Sequence, residues 1–233
     1  MSVIAFVFAR GGSKGLPGKN IKPLCGKPLL HYSIEVAQKI PEISKVYVST
    51  DCNEIAAAAK VAGAQIIRRP AELATDTAAE WLAWQHAITY VQQQGVQFDT
   101  FVSLPATSPL RAAKDVTAAL QQLQLSKADI CIGVTPAARN PYFNMVKPKG
   151  ADEVCLFIND QPAIKRRQDA PVAFDITTVV YAAKVNYILE NNALFAGKVT
   201  SVEVPKQRAV DIDDIYDFLF AESLLTNGAA LDD

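Results

Sequence analysis

No apolar run early in this sequence approaches the roughly 20 residues that a membrane-crossing helix needs. The longest strongly apolar stretch near the start, residues 3–9, is seven residues long. No basic residue precedes it and Arg10 closes it, so it makes a poor secretion signal. Cysteine is sparse: Cys25, Cys52, Cys131 and Cys155 lie far apart, with no C-x-x-C pair. Neither a disulfide framework nor a zinc site is expected, and the thiols read as buried or free in a reducing compartment. An excess of either charge is lacking too, since 23 basic residues face 24 acidic ones for a net charge of −1. No global field therefore draws the chain to nucleic acid or to an anionic membrane. The only histidines, His31 and His86, stand apart from any serine or cysteine motif and read as structural. Half of the residues are hydrophobic and a fifth are charged, which excludes disorder as the main state. The expectation is a cytoplasmic globular protein whose 233 residues suffice for one α/β domain, with or without a sizeable insertion.

Short β-favouring runs alternate with helical patterns. Strands are expected at 3–8, 46–49, 64–67, 100–104 and 128–134, and helices at 27–39, 53–62, 77–94 and 114–125. The first strand, VIAFVF, is continuously apolar, as suits a strand buried on both faces. Trp81, Trp84, Ile88 and Val91 line one side of the third helix and read as packing. This β-α-β-α order predicts a mainly parallel sheet covered by helices on both faces. The order breaks at Pro136. From there to about residue 173 lie Pro136, Pro141, Pro148, Pro162 and Pro171 with the cations Lys165, Arg166 and Arg167, which reads as an inserted arm within a single domain. Regular order resumes with a strand at 177–183, a helix near 186–191, a strand at 199–204 and a closing helix at about 213–225. The tail after Asn227 is expected to fray.

The segment after the first strand carries most information. Four glycines, a serine and the cations Arg10, Lys14 and Lys19 fall within the eleven residues 10–20, at the carboxyl end of a strand where open α/β sheets bind ligands. Glycines let backbone N–H groups converge on an anion, and the cations add charge. A Walker A loop would need Gly in place of Ser13 and Ser or Thr in place of Asn20, and the dinucleotide fingerprint does not fit. A mobile turn is the plainer alternative, but it leaves the cations unexplained. Thr75 or Asp76 can cap the helix expected from Thr77. Asp211 and Asp213, two apart after an apolar strand, can share a hard cation if the segment stays extended. Alternatively Asp213 caps the last helix and Asp211 is solvated.

The string Ala9-Arg10-x-x-Ser13-Lys14-Gly15-Leu16-Pro17-x-Lys19-Asn20 after an N-terminal strand resembles the signature of the acylneuraminate cytidylyltransferase (CMP-sialic acid synthetase) family. Matching blocks follow in order: Ser49-Thr50-Asp51, the string R-P-A-E-L-A-T-D-T at 69–77, Thr107-Ser108-Pro109-Leu110-Arg111, Arg166-Arg167-Gln168-Asp169 and Asp211-Ile212-Asp213. Together they span nearly the whole chain, and any one except the first would be weak alone.

The resemblance implies a three-layer, mainly parallel α/β fold of nucleotide-diphospho-sugar transferase type, with a dimerisation arm at 136–173 and a homodimer. It implies transfer from CTP to a 2-keto-3-deoxy sugar acid, sialic-acid-like or octulosonate-like, giving CMP-sugar and pyrophosphate. Arg10, Lys14, Asp211 and Asp213 would be catalytic, with Mg²⁺ on the two aspartates. The nucleotide would lie along Ala9, Arg10, Gly11, Gly12, Ser13, Lys14, Asn20, Arg69 and Pro70, Asn20 reading a base edge through its amide. The sugar side would be Pro105, Thr107, Arg167, Asp175 and Thr177, with Arg167 reaching a partner's site; a solvated basic turn is the simpler reading of Arg166-Arg167.

There are departures from the family pattern. Pro105 replaces a glutamine, Asp175 an arginine, Thr177-Thr178 an Asn-Gly, and Glu80 a small polar residue. Asp175 would then favour a sugar other than N-acetylneuraminate, unless it points away and caps a turn. The rival readings are a nucleotidyltransferase for another nucleotide or sugar, and an inactive nucleotide-binding regulator.

Overall fold

A computed structural model describes residues 2–159 and 164–228. Pro162 and the tail expected to fray lie outside these residues, Asn227 and Gly228 excepted. The main sheet is built from β1 (Val3–Phe8), β2 (Ile43–Thr50), β3 (Gln65–Arg68), β4 (Thr100–Ser103), β5 (Ile130–Pro136), β6 (Phe174–Lys184) and β7 (Val199–Glu203). The helices are α1 (Leu29–Gln38), α2 (Asn53–Val61), α3 (Glu80–Gln93), α4 (Ala113–Ser126), α5 (Val185–Glu190) and α6 (Ile215–Thr226). Spatial order is β7-β5-β6-β4-β1-β2-β3. The pairs β1–β2, β1–β4, β2–β3 and β5–β7 are parallel, while β6 runs antiparallel between β4 and β5.

The period of two in β1 sets the layers. Val3, Ala5 and Val7 enter one buried cluster with Leu30 and Ile34 of α1, Ile55 of α2 and Val116 and Leu120 of α4. Ile4 and Phe6 enter the opposite cluster with Trp81, Trp84 and Ile88 of α3 and Ile188 of α5. The continuous apolar run is therefore a strand covered on both faces. Trp81 and Trp84 are core residues, Trp81 Nε1 donating to the Ile188 and Asn191 carbonyls. A third cluster ties Leu16 of the glycine-rich segment, and Leu24 and Leu29 after it, to Val210 and Ile212 before α6 and Phe218 within it.

Two features were not legible in the periodicity. In the pairing of β6 with β5, Ile176 faces Val134 and Tyr181 faces Ile132, so residues 177–180 bulge where β5 advances by one residue. Gly133 is that residue, and a Cβ there would stand 2.8 Å from Thr177 Oγ1, so the bulge requires glycine. Secondly, α3 starts at Glu80 behind Ala79, with no side-chain cap, so neither Thr75 nor Asp76 caps it. The last helix likewise starts at Ile215, where Asp214 rather than Asp213 accepts the Tyr216 and Asp217 amides.

The 136–173 insertion carries a hairpin, Val146–Pro148 with Val154–Leu156, and a 3₁₀ turn at Arg167–Asp169. Among the described residues, none of the three buried clusters draws on positions 137–173. Met145, Val146, Val154, Phe157 and Val172 instead lie exposed along it. No described helix is long and apolar enough to cross a membrane.

Candidate active site

The segments that follow β1, β3 and β4 meet at the carboxyl edge of the sheet and, with Asp213, border a cleft of about 530 Å³. Its lining includes Arg10, Ser13, Lys14, Gly15, Lys19 and Asn20 from the first of these segments, Arg69, Asp76 and Glu80 from the second, and Thr107 and Asp213.

The glycine-rich loop is held from beneath. Ala9 N–H donates to the Ser49 carbonyl, Gly11 N–H to Asp51 Oδ1 (3.0 Å), and Asn20 Nδ2 to the Arg10 carbonyl (3.0 Å). The Asn20 side chain is buried, and its amide fixes the loop's own backbone, so this donor is not free for a base. Gly15 packs directly on the Asp213 carbonyl, closer than any Cβ would permit, and Lys19 Nζ donates to the Ile212 carbonyl (2.7 Å) and Asp213 Oδ1 (3.2 Å).

Above the loop, Arg10 NH1 and Lys14 Nζ converge on the two oxygens of one carboxylate, Asp76, at 2.8 and 2.5 Å. The Lys14 ammonium, and Arg10 with it, hold that carboxyl below the usual carboxylate range. Asp76 is thus the anion on which these cations close, a role that helix-cap reasoning missed. A phosphate offers the same charge and more acceptor oxygens. Arg69 is oriented by β2, donating from Nε to Ser49 Oγ and from NH2 to the Ser49 carbonyl, with its guanidinium over the Phe8 ring. Ser49-Thr50-Asp51 is therefore a scaffold for both the loop and Arg69.

Two residues before Asp213 and outside the cleft lining, Asp211 is largely enclosed, and its Oδ1 is buried without a hydrogen-bond partner. Burial pushes its carboxyl up, the Asp213 charge adds to this, and the Thr107 and Thr178 hydroxyls oppose it. The β6 bulge brings Thr178 to this point, with Ser108 Oγ 2.6 Å from Thr178 Oγ1. Beneath lies Arg111, 3% exposed, donating to Ser33 Oγ, the Pro105 carbonyl and the Thr178 carbonyl. Burial pulls its guanidinium down to about 9, opposed by Asp211 and Asp115. Asp213 is exposed. Glu80 is open to the cleft although protein crowds it on most sides; that burial raises its carboxyl, opposed by the Trp84 N–H and by Arg69.

The sugar-side residues scatter. Thr107 lines the cleft. Pro105 is buried, its carbonyl taken by Ser33 and Arg111. Thr177 is buried against Gly133, and its Oγ1 accepts from Val179 N–H. Asp175 pairs opposite Thr135 and its Oδ2 accepts from Ala138 N–H, so it caps a turn at the root of the arm and lies outside the cleft lining. Asp175 thus takes the alternative role of a turn cap and gives no reason to expect an unusual sugar. Arg167 reaches the Ala137 and Ala138 carbonyls beside a separate groove on the arm, and Arg166 pairs with Asp169. Pro70 precedes a 3₁₀ turn at Ala71–Leu73, outside the cleft lining, as do Gly11 and Gly12.

This chain is similar to several known proteins. The cytidylyltransferase family model matches residues 4–216. Post-translational flagellin modification protein B of Campylobacter coli is 31% identical over 96% of this chain and 94% of its own. The CMP-N,N'-diacetyllegionaminic acid synthase of Campylobacter jejuni is 31% identical over 96% and 95%. The solved structure of CMP:2-keto-3-deoxy-manno-octonic acid synthetase complexed with CTP superposes with a TM-score of 0.74 over 98% of this chain and all of that one, at 15% identity, and so shares the fold. The match spans the glycine-rich loop, its cations and both aspartates, and the chain belongs to the cytidylyltransferase family.

Proposed function

We propose that this protein transfers the cytidylyl group of CTP to the anomeric hydroxyl of a 2-keto-3-deoxy sugar acid, releasing pyrophosphate. The observation that carries this reading is the closure of Arg10 and Lys14 on a single carboxylate in a cleft that Asp213 also lines, with the partnerless Oδ1 of Asp211 two residues before it. In the reaction the sugar oxygen bonds to the α-phosphorus, the bond from that phosphorus to the bridging oxygen breaks, and pyrophosphate leaves with the electron pair. The hydroxyl proton passes to water or to one of the two aspartates. Arg10 and Lys14 would exchange Asp76 for phosphate oxygens and stabilise the charge that builds there, with loop amides alongside. Gly15 and Lys19 hold Asp213 in register with that loop.

A divalent cation is part of the proposal. Asp211, enclosed and short of a donor, and the exposed Asp213 beside it form a donor set suited to Mg²⁺, which takes one or two carboxylates together with substrate phosphates. Bound there, Mg²⁺ would neutralise phosphate charge.

Pyrophosphate release with CTP across N-acetylneuraminate, N,N'-diacetyllegionaminic acid and 3-deoxy-manno-octulosonate tests the reading. Release that requires one of these acids is expected. Binding of CTP without release in any pairing would favour a regulator instead. Lys14→Ala should lower kcat far more than it raises KM for CTP, because the charge Lys14 meets grows at the transition state. A change in KM alone would reduce Lys14 to a ground-state contact.

The homodimer belongs to this proposal as well. The exposed apolar residues of the arm, and the lack of a buried cluster among its described residues, suit order against a second subunit, with Arg167 completing the neighbour's cleft. Sedimentation should give a dimer. Mixing an Arg167→Ala subunit with a Lys14→Ala subunit should restore part of the activity, and verified mixed dimers without rescue would count against Arg167 acting across the interface.

A further inference from the structure

We propose that Glu80 selects the base of the nucleotide, accepting a hydrogen bond from the exocyclic amine of cytosine, and that Trp84 fixes which carboxyl oxygen does so. The assignment rests on the reading above, in which a nucleoside triphosphate fills the cleft. Glu80 is the first residue of α3 and lines that cleft. One turn later, Trp84 donates Nε1–H to Glu80 Oε1 at 3.2 Å. The Trp84 ring cannot follow a moving carboxylate, because it is buried and packed on Phe8, Phe101 and Tyr181. One Glu80 oxygen is thereby committed, leaving Oε2 as the acceptor for a ligand.

The chemistry of the substrates decides what meets that oxygen. The triphosphate and the carboxylate of a sugar acid are anions, which a carboxylate repels, and the paired cations Arg10 and Lys14 already supply a place for phosphate. Neutral donors remain. The cleft that Glu80 lines also carries two planar groups, the Arg69 guanidinium lying 5.5 Å from the centre of the Phe8 ring with both residues in the lining. A planar base fits against such groups better than a puckered sugar. At its 4-position cytosine carries an amine, which donates to a carboxylate, whereas uracil carries a carbonyl, which sets lone pair against lone pair. Discrimination by a site built around such a bond is on the order of 10²- to 10⁴-fold, because the wrong base leaves both groups unpaired.

The indole N–H only donates, and this makes Glu80→Gln informative. The glutamine must turn its carbonyl oxygen to Trp84, so its NH₂ faces the base and a donor stands where an acceptor stood. The experiment is kcat/KM for CTP, UTP and dCTP with wild type, Glu80→Gln and Glu80→Ala, each checked for native circular dichroism. Wild type should favour CTP strongly. Glu80→Gln should shift the CTP:UTP ratio towards UTP by at least about 10-fold, and Glu80→Ala should move it towards parity without reversal. A CTP:UTP ratio unchanged in the variants, with wild type active on CTP, overturns the role of Glu80 and leaves the cytidylyl-transfer reading standing. So does a change confined to the CTP:dCTP ratio, which would place Glu80 on a ribose hydroxyl. A wild type that turns over neither CTP nor UTP with any sugar acid overturns the underlying reading instead.

Discussion

Asp211→Asn is expected to lower turnover by roughly 100- to 1000-fold or more, the usual loss when a group that stabilises transition-state charge is removed. The amide is nearly isosteric, so neighbouring packing should survive. What disappears is the anionic oxygen that a hard cation requires, at a site where Oδ1 has no protein donor to satisfy it. Asp213→Asn should be milder, because its side chain is exposed and its backbone is held independently by Gly15 and by the Asp217 carboxylate on its N–H. The measurement is pyrophosphate release over a Mg²⁺ series, with a thermal melt of each variant. Near-normal turnover of Asp211→Asn at ordinary Mg²⁺ would remove Asp211 from the proposed metal site.

The largest loss of stability should come from Arg111→Ala. Its guanidinium joins α1 (Ser33), the chain after β4 (Pro105) and the β6 bulge (Thr178) through buried hydrogen bonds. Truncation strands those oxygens and opens a void, at a cost of about 3–5 kcal/mol. For a chain of this size each kcal/mol moves Tm by about 2–4 °C, so a fall of roughly 6–20 °C is expected. Arg111→Lys should recover little of it, since a single ammonium cannot span three acceptors that a planar fork reaches. A Tm within about 3 °C of wild type for Arg111→Ala would show that the hub is dispensable.

The parts of this molecule that were legible in its sequence are those governed by short-range pattern. VIAFVF announces a doubly covered strand, and the alternation that follows announces the three-layer order, because burial imposes a period within each element. The glycine-rich loop with Arg10 and Lys14 was legible because its composition has no cheap structural explanation. Asp76 was misread as a helix cap, because the partners that claim it, Arg10 and Lys14, lie more than 60 positions away in the chain. Thr177 rather than Thr178 is the threonine the sequence points to, for a related reason. The 177–180 bulge depends on Gly133 of another strand, and a slip in register exchanges which threonine faces the site. Asp175 was read by substitution against a family pattern, which says what a residue is not, whereas Ala138 N–H decides where its carboxylate goes.

The contacts of Lys19 with Ile212 and Asp213, and of Gly15 with Asp213, join the two ends of the described chain across 193 or more positions. Closing so long a loop is entropically costly and is favourable only after the intervening sheet has shortened the distance. During refolding, burial of Trp81 and Trp84 in the central layers should therefore precede recovery of catalysis. The chain would pass through a form with native tryptophan fluorescence and no turnover. On a ribosome the consequence is sharper: the loop emerges early, yet it lacks its counterpart until residues 211–213 have been made. With residues 211–213 in the role proposed above, catalytic competence would be the last property this protein acquires, and the first that loosening of α6 would take away.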